Sequence, residues 1–126
     1  DAKATTVTQY GRFQFGLPPS FVSGQSVRVQ IKAGMKTTIS DGTATVDVEL
    51  YKSDDDGGVG ADLCATAAQS LNSLTQTTLD FDVTSSGLSA GDLLDVRVTV
   101  AITDAATGTA VLGKLSRVSV LADIKG

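Results

Sequence analysis

The sequence predicts an all-β fold, and three observations support that prediction. Apolar and polar residues alternate with a period of two in every well-patterned segment, as in strands with one face in a core and the other in solvent. The 13 Gly and 2 Pro, among abundant Thr, Ser and Val, favour short strands joined by turns. No segment is unambiguously helical. Strands that follow one another without helices between them build a two-sheet sandwich or a barrel.

The clearest strand lies between Leu93 and Ile102, where aliphatic residues alternate with mostly polar ones. A Gly91-Asp92 turn precedes it, and a loop that contains Gly108 follows it. The same alternation predicts the other strands, which we expect at Arg12–Phe15, Val27–Lys32, Thr43–Lys52, Thr77–Thr84 and Thr109–Ile124. The inward phase of these strands predicts a core that contains Val29, Val48, Phe81, Val96, Val98 and Val120.

The last strand changes phase part-way along its length. Val111 and Leu115 share one phase, whereas Val118 and Val120 share the other. A single extra residue near Ser116 would explain both sets, because a β-bulge shifts the register by one.

Residues Ala61–Leu74 allow two interpretations. Leu63, Ala67 and Leu71 recur at the spacing of one helix face. The Thr and Ser content of the segment equally allows an extended chain. We favour the extended conformation because strands surround the segment on both sides.

Composition limits the classes of function that fit this chain. Its 126 residues suit one domain, and a net charge of −4 with scattered Lys and Arg argues against a nucleic-acid surface. No run of about 20 apolar residues is present, so no membrane segment is expected. The single Cys cannot form an internal disulfide, which favours a reducing compartment.

The side chains that enzymes commonly use are scarce. The chain has no His, and Cys64 has mostly apolar neighbours, where a buried inert thiol is the usual state. Asp80 or Asp82 beside Asp95 would suit a glycosidase pair on adjacent strands, although a solvated sheet face is the favoured interpretation. We therefore predict that the chain is not an enzyme and binds no cofactor.

Two further groups bear on ligand binding. Asp54–Asp56 could ligate Ca²⁺, but the run lacks the alternate spacing and closing Glu of a calcium loop, so a solvated loop is favoured. Sugar recognition usually needs exposed aromatic rings. Only Tyr10 and Tyr51 are expected to supply them, because the four Phe fall in the core phase. A carbohydrate- or receptor-binding module is therefore the alternative function.

Three stretches carry a resemblance to a known family. They are Leu79–Val98, which contains a Gly-Leu-Ser-Ala-Gly-Asp turn between two strands, together with Ala61–Ser70 and Ala33–Thr38. In these stretches the chain resembles small jelly-roll structural proteins of tailed bacteriophages, several of which are capsid decoration (cement) proteins. The resemblance implies a jelly-roll-like antiparallel β-sandwich of about eight strands that docks on a capsid as a symmetric oligomer. It carries over no catalytic residue.

The resemblance and the missing catalytic groups together predict a non-enzymatic virion protein. We expect it to be made in the host cytoplasm, to lie on the capsid exterior and to bind both the major capsid protein and itself, for instance as a trimer. Residues 1–10 are expected to form an arm that a neighbouring subunit orders, and residues 11–126 the sandwich domain. The expected interface residues are Thr5, Thr6, Thr8, Tyr10 and Tyr51.

Overall fold

The computed structural model describes residues 5–53, 60–104 and 111–125. This part of the chain contains strands and no helix, and therefore no helix that could cross a membrane. The strands are β1 (Thr5–Gly16), β2 (Val27–Met35), β3 (Thr43–Lys52), β4 (Gln69–Ser70), β5 (Thr77–Asp82), β6 (Leu93–Asp104) and β7 (Gly113–Ala122).

The strands form two antiparallel sheets that enclose one core. The larger sheet has the order β1-β6-β3-β4, and the smaller has the order β5-β2-β7. The predicted all-β class and two-sheet sandwich are therefore confirmed. Seven strands are described, where about eight were expected, and the jelly-roll connectivity stays a prediction.

The core follows the alternation read from the sequence. The inward residues of β6 include Leu94, Val96 and Val98, and none of these is more than 5% exposed. Among the predicted core residues, Val29, Val48, Phe81, Val96 and Val98 are buried. Val120 is only partly buried and packs against the core, because β7 lies at the edge of its sheet.

The β-bulge predicted near Ser116 is present. Lys32 pairs with Arg117 and the next residue, Ala33, pairs with Leu115, so Ser116 has no opposite residue in β2. The Ser116 hydroxyl instead donates a hydrogen bond to the side-chain oxygen of Gln76, at 2.7 Å. The bulge lets apolar residues on both sides of it face inward.

The N-terminal residues belong to the larger sheet. Strand β1 pairs with β6 without interruption from Thr5, opposite Asp104, to Gly16, opposite Leu93. From Thr5 onward this pairing replaces the separate arm expected over residues 1–10. Backbone pairing needs no apolar side chain, so the weak hydrophobic pattern of this segment gave no sign of the strand.

Residues 61–74, the bridging segment, are extended, as favoured from the sequence. The Leu63 N–H donates to the Leu50 carbonyl of the larger sheet, at 2.8 Å. The Ala65 N–H donates to the Asp82 carbonyl of the smaller sheet, also at 2.8 Å. Because the backbone groups of this segment bond to both sheets, the segment is not a helix. We call the long side that it covers the closed side, although a cavity of about 320 Å³, lined by Ala61, Leu63 and Leu88 among others, remains beside the segment.

Candidate functional site

The other long side of the sandwich, where β1 and β7 end their sheets, is open. Two adjoining cavities of about 300 and 350 Å³ lie between these strands. We call them together the open groove; the residues that line it include Gln9, Phe13, Val98, Val100, Ile102, Leu115 and Val118. No described strand covers this space. The groove is thus an apolar surface at the place where a further strand would complete a sandwich.

The groove is open because the inward side chains of β1 are small or polar along its middle. Gly11 lies opposite Val98 and Gln9 lies opposite Val100 in the ladder with β6. Gly11 has no side chain, although Val98 is buried by other residues, and Gln9 has no apolar side chain that could cover Val100. Val100 is consequently only partly buried, although it lies in the central strand of the larger sheet. The groove is therefore open at the two positions in β1, Gln9 and Gly11, that carry no apolar side chain.

Strand β7 forms the opposite wall of the groove. Val118 pairs with the core residue Ile31, and Leu115 pairs with the core residue Ala33. Both β7 residues therefore face inward, yet Leu115 is 41% exposed and Val118 is 37% exposed. Full burial of such a side chain contributes about 1.5–3 kcal/mol. This wall therefore offers apolar surface that a partner could cover.

The outer edge of β1 is available for backbone pairing. The Leu17 N–H donates to the Asp92 carbonyl at 2.8 Å, so odd-numbered residues bond toward β6 in this antiparallel ladder. The even-numbered residues from Thr6 to Gly16 direct their N–H and C=O groups outward, where no described strand pairs with them. Pro, charged side chains and register shifts usually block strand addition. The edge of β1 contains no Pro and no register shift, and its one charged side chain is Arg12.

The edge of β7 is better protected than that of β1. Its register shifts at the bulge, and it carries Lys114 and Arg117. Bulges and charged side chains both discourage the addition of a further strand. Strand pairing at the open side is therefore favoured on β1, and β7 supplies an apolar wall.

Arg97 and Tyr10 mark the outer face of the larger sheet near this edge. The Arg97 guanidinium lies 4.2 Å from the centroid of the Tyr10 ring. Its Nε lies 3.1 Å from Oε2 of Glu49, although the two atoms are not aligned for a hydrogen bond. Arg12 lies directly opposite Arg97 in the ladder, and the described residues give Arg12 no ion pair. Like charges that face each other across a ladder are unfavourable, so a polar or acidic group placed beside Arg12 would be favourable.

Three of the five residues predicted for an interface share one strand and its outward face. The outward side chains of β1 include Thr6, Thr8 and Tyr10, and Tyr10 is 59% exposed. Tyr51 lies on the same face in β3, but it is half-buried. Partial burial, followed by the nearby carboxylates of Glu49 and Asp62, raises the pKa of the Tyr51 phenol. The backbone of Thr5 pairs with Asp104. The use of these five residues in an interface stays a prediction.

The proposed carboxylate pair does not exist. Asp80 and Asp82 lie on β5 in the smaller sheet, whereas Asp95 lies on β6 in the larger sheet. The Asp82 carboxylate instead accepts a hydrogen bond from Nε of Arg28, and that of Asp95 accepts one from Gln14, both at 2.9 Å. The favoured interpretation of solvated sheet faces therefore holds for these residues.

Cys64 and the candidate metal ligands are the remaining groups that the sequence singled out. The Cys64 thiol is half-buried and donates to the Thr66 carbonyl at 3.4 Å. Burial raises the pKa of this thiol, although the hydrogen bond to Thr66 opposes that shift. Within residues 5–53, 60–104 and 111–125, no three Cys, Asp or Glu side chains are grouped so that they could hold a metal ion. Asp54–Asp56 lie outside the described residues.

The open groove was not predicted from the sequence. The only signal for it is the pair Gln9 and Gly11, which interrupts the inward alternation that Phe13 and Phe15 begin. Such an interruption is informative only when the partner strand is known, because Gln9 and Gly11 would be unremarkable on an outward face. Comparison of the chain with family models, with curated proteins and with solved structures gave no match.

Proposed function

We propose that this chain is a non-enzymatic structural protein of a virion, and specifically a decoration protein that binds the major capsid protein and itself on the capsid exterior. The observation that supports an assembly role is the open side of the sandwich. There the edge of β1, which has neither a bulge nor Pro and one charged side chain, borders an apolar groove whose walls include inward-facing but exposed Leu115 and Val118. A strand edge and an apolar wall side by side suit the addition of another chain.

The residue types on this surface support the same role. The outward residues of β1 include the short side chains of Thr6 and Thr8, with Tyr10 and Arg12 near the centre of the strand. Short side chains lose little conformational entropy when an interface immobilises them, and Tyr and Arg are enriched at interface centres. The virion and capsid elements of the proposal rest on the resemblance to phage decoration proteins.

The composition of purified viral particles tests the proposal. Particles of a virus whose genome encodes this chain should contain it in a fixed and high copy number relative to the major capsid protein. Quantitative mass spectrometry of particles purified by density gradient measures that ratio. Absence of the chain, or only a few copies per particle, would contradict decoration.

A carbohydrate- or receptor-binding module is the second candidate, and Tyr10 is the feature that favours it. The ring is 59% exposed, and the contact with Arg97 would hold it in place as a stacking surface. Tyr51 adds little to such a surface because it is half-buried. Reproducible glycan-array binding that is lost in Tyr10→Ala and kept in Tyr51→Phe would favour this function over decoration.

A further inference from the structure

We propose that the outer edge of β1 pairs with β1 of a second copy of this chain, antiparallel and about a two-fold axis at Tyr10. The pairing would join the two four-stranded sheets into one continuous sheet and bring the two open grooves together. It specifies the self-association named under Proposed function and rests on that part of it. A two-fold contact makes a dimer, which differs from the trimer named from the sequence.

The backbone of β1 has the geometry that this pairing needs. Its even-numbered residues direct their N–H and C=O groups outward along the whole strand. With the axis at Tyr10, the overlap runs from Thr5 to Phe15 and measures about 37 Å. Every second residue pair in an antiparallel ladder exchanges two hydrogen bonds, which gives about ten across the contact. Identical edges satisfy each other under two-fold symmetry, so no second kind of surface is required.

The inward side chains of β1 are complementary under this symmetry. The C-terminal half of the strand carries Phe13 and Phe15, whereas Gln9 and Gly11 lie nearer the N-terminus. Antiparallel self-pairing places Phe13 of the second copy beside Val7, and Gln9 of the second copy beside Gly11. The bulky half of each strand thus lies against the half that lacks bulk. The second copy brings an aromatic ring to the end of the groove where Ile102 is only partly buried.

The charges on the outward face disfavour an axis on the C-terminal side of Tyr10, and an axis on its N-terminal side would shorten the overlap along the described strand, which begins at Thr5. With the axis at Tyr10, the two Tyr10 rings face each other, and Arg12 faces Thr8 of the second copy. An axis at Arg12 would place Arg12 against Arg12, which is unfavourable. An axis at Gly11 would bring the two Arg12 and Arg97 pairs closer together, since Arg12 already faces Arg97 within one copy. The axis at Tyr10 avoids both arrangements.

A second copy fits the size of this surface. A strand of about 37 Å that pairs through its backbone and through side chains on both faces can reach the roughly 1,000 Å² expected of a specific interface. The exposed inward residues Leu115 and Val118 of both copies would border the joined grooves. An unrelated strand could use the same edge, but it would not share the matched halves of β1.

Thr8 provides a charge test of the proposed register. Thr8 of each copy faces Arg12 of the other copy, so the dimer contains this pair twice. Thr8→Asp should therefore lower the dimer dissociation constant by about 2- to 30-fold, and Thr8→Lys should raise it by a similar factor. Thr8→Val keeps the shape and the N–H and should leave it close to that of the parent. The double variant Thr8→Lys with Arg12→Glu should restore dimerisation. Sedimentation velocity of the full chain over a range of concentrations, at low salt, measures each constant.

Three outcomes would overturn the proposal. In the first, the chain stays monomeric up to about 1 mM, a Kd at which the free energy of binding is only about 4 kcal/mol. In the second, the chain dimerises, but the dissociation constant does not change with the charge at position 8. In the third, Thr8→Asp and Thr8→Lys shift the dissociation constant in the same direction. A thermal melt of each variant shows whether it is folded. If Thr8→Lys does not fold, the dissociation constants of the wild-type chain, Thr8→Val and Thr8→Asp are sufficient to test the register. A monomer that still binds purified capsids would refute this contact and leave the proposed function standing. A dimer whose dissociation constant responds to the charge at position 8, but which does not bind capsids, would support this contact and refute the proposed function.

Discussion

The two long sides of this sandwich are completed in different ways. On the closed side, the bridging segment bonds to both sheets through the backbones of Leu63 and Ala65, and Phe81 behind it is fully buried. On the open side, the sheets end at β1 and β7, and the inward residue Leu115 is 41% exposed. The comparison separates two uses of the same residue types. Apolar residues stabilise the fold where a segment covers them, and they leave apolar surface exposed where none does.

The difference is also visible in the polar contacts. On the closed side, the Asp62 carboxylate accepts N–H groups from both Leu50 and Cys64, at 2.9 Å each. The outer edge of β1 has no comparable contact to another described strand. The backbone groups on the closed side are thus paired within one chain, whereas those on the outer edge of β1 are left to water or to a partner.

The largest effect is expected from a truncation in the covered core. Leu50 lies in β3 beside the bridging segment and is fully buried, so Leu50→Ala should lower the free energy of unfolding by about 2–5 kcal/mol through lost burial and a cavity. Urea denaturation followed by circular dichroism measures the change. A loss below about 1 kcal/mol would mean that this side is not the well-packed one.

A smaller effect is expected where an amide side chain ties the bridging segment to a loop. The Asn72 side chain accepts the Ile39 N–H and donates to the Ile39 carbonyl, both at 2.9 Å. Asn72→Ala should cost about 1–3 kcal/mol because it leaves two partly buried backbone groups unpaired. Gln14→Ala is the matched control on the open edge, since its bond to Asp95 is exposed and its loss should cost much less. Equal losses in urea denaturation would mean that the partly buried bonds of Asn72 contribute no more than the exposed bond of Gln14.

The pH dependence of stability should reflect Tyr51. Burial and neighbouring carboxylates raise its pKa above the usual 10.0 in the folded chain, so folding favours the neutral phenol. The unfolded chain then loses this proton at a lower pH than the folded chain does. The free energy of unfolding should therefore fall as the pH rises from about 10 through the folded pKa. Tyr51→Phe should flatten this part of the profile in denaturant titrations between pH 8 and 11; an unchanged slope would assign the loss to other groups.

The smallest effect on the isolated chain is expected at the open wall. Leu115→Ala is the same substitution as Leu50→Ala, but the side chain is already 41% exposed. It should cost less than about 1 kcal/mol in dilute solution, where no partner covers it. Urea denaturation at low protein concentration provides the value. A loss as large as that of Leu50→Ala would show that the groove is closed within one chain.

The sequence was sufficient where the alternation is clean. The phase of β6 from Leu94 to Val98 identified its buried residues, and the change of phase around Ser116 identified the bulge. These features are local, because side-chain direction alternates along any strand. The bridging segment was predicted as extended only from its neighbours.

Features that depend on strand partners could not be predicted from the sequence. Asp80 and Asp95 have similar patterns around them, and only the pairing places them in different sheets. In β1, the meaning of Gln9 and Gly11 depends on their position opposite Val100 and Val98. Sequence patterns give the face of a residue, whereas the neighbour across the ladder is set by long-range packing.

Amide hydrogen exchange along β1, resolved by residue with nuclear magnetic resonance, tests most directly whether a partner completes the open side. In dilute solution the amides of Gln9, Gly11 and Phe13 should be protected by β6, while those of Thr8, Tyr10 and Arg12 exchange rapidly. At concentrations where the chain associates, the second set should become protected as well. Rapid exchange of Thr8, Tyr10 and Arg12 in the associated protein would contradict the account, because association would then leave the outer edge of β1 unpaired.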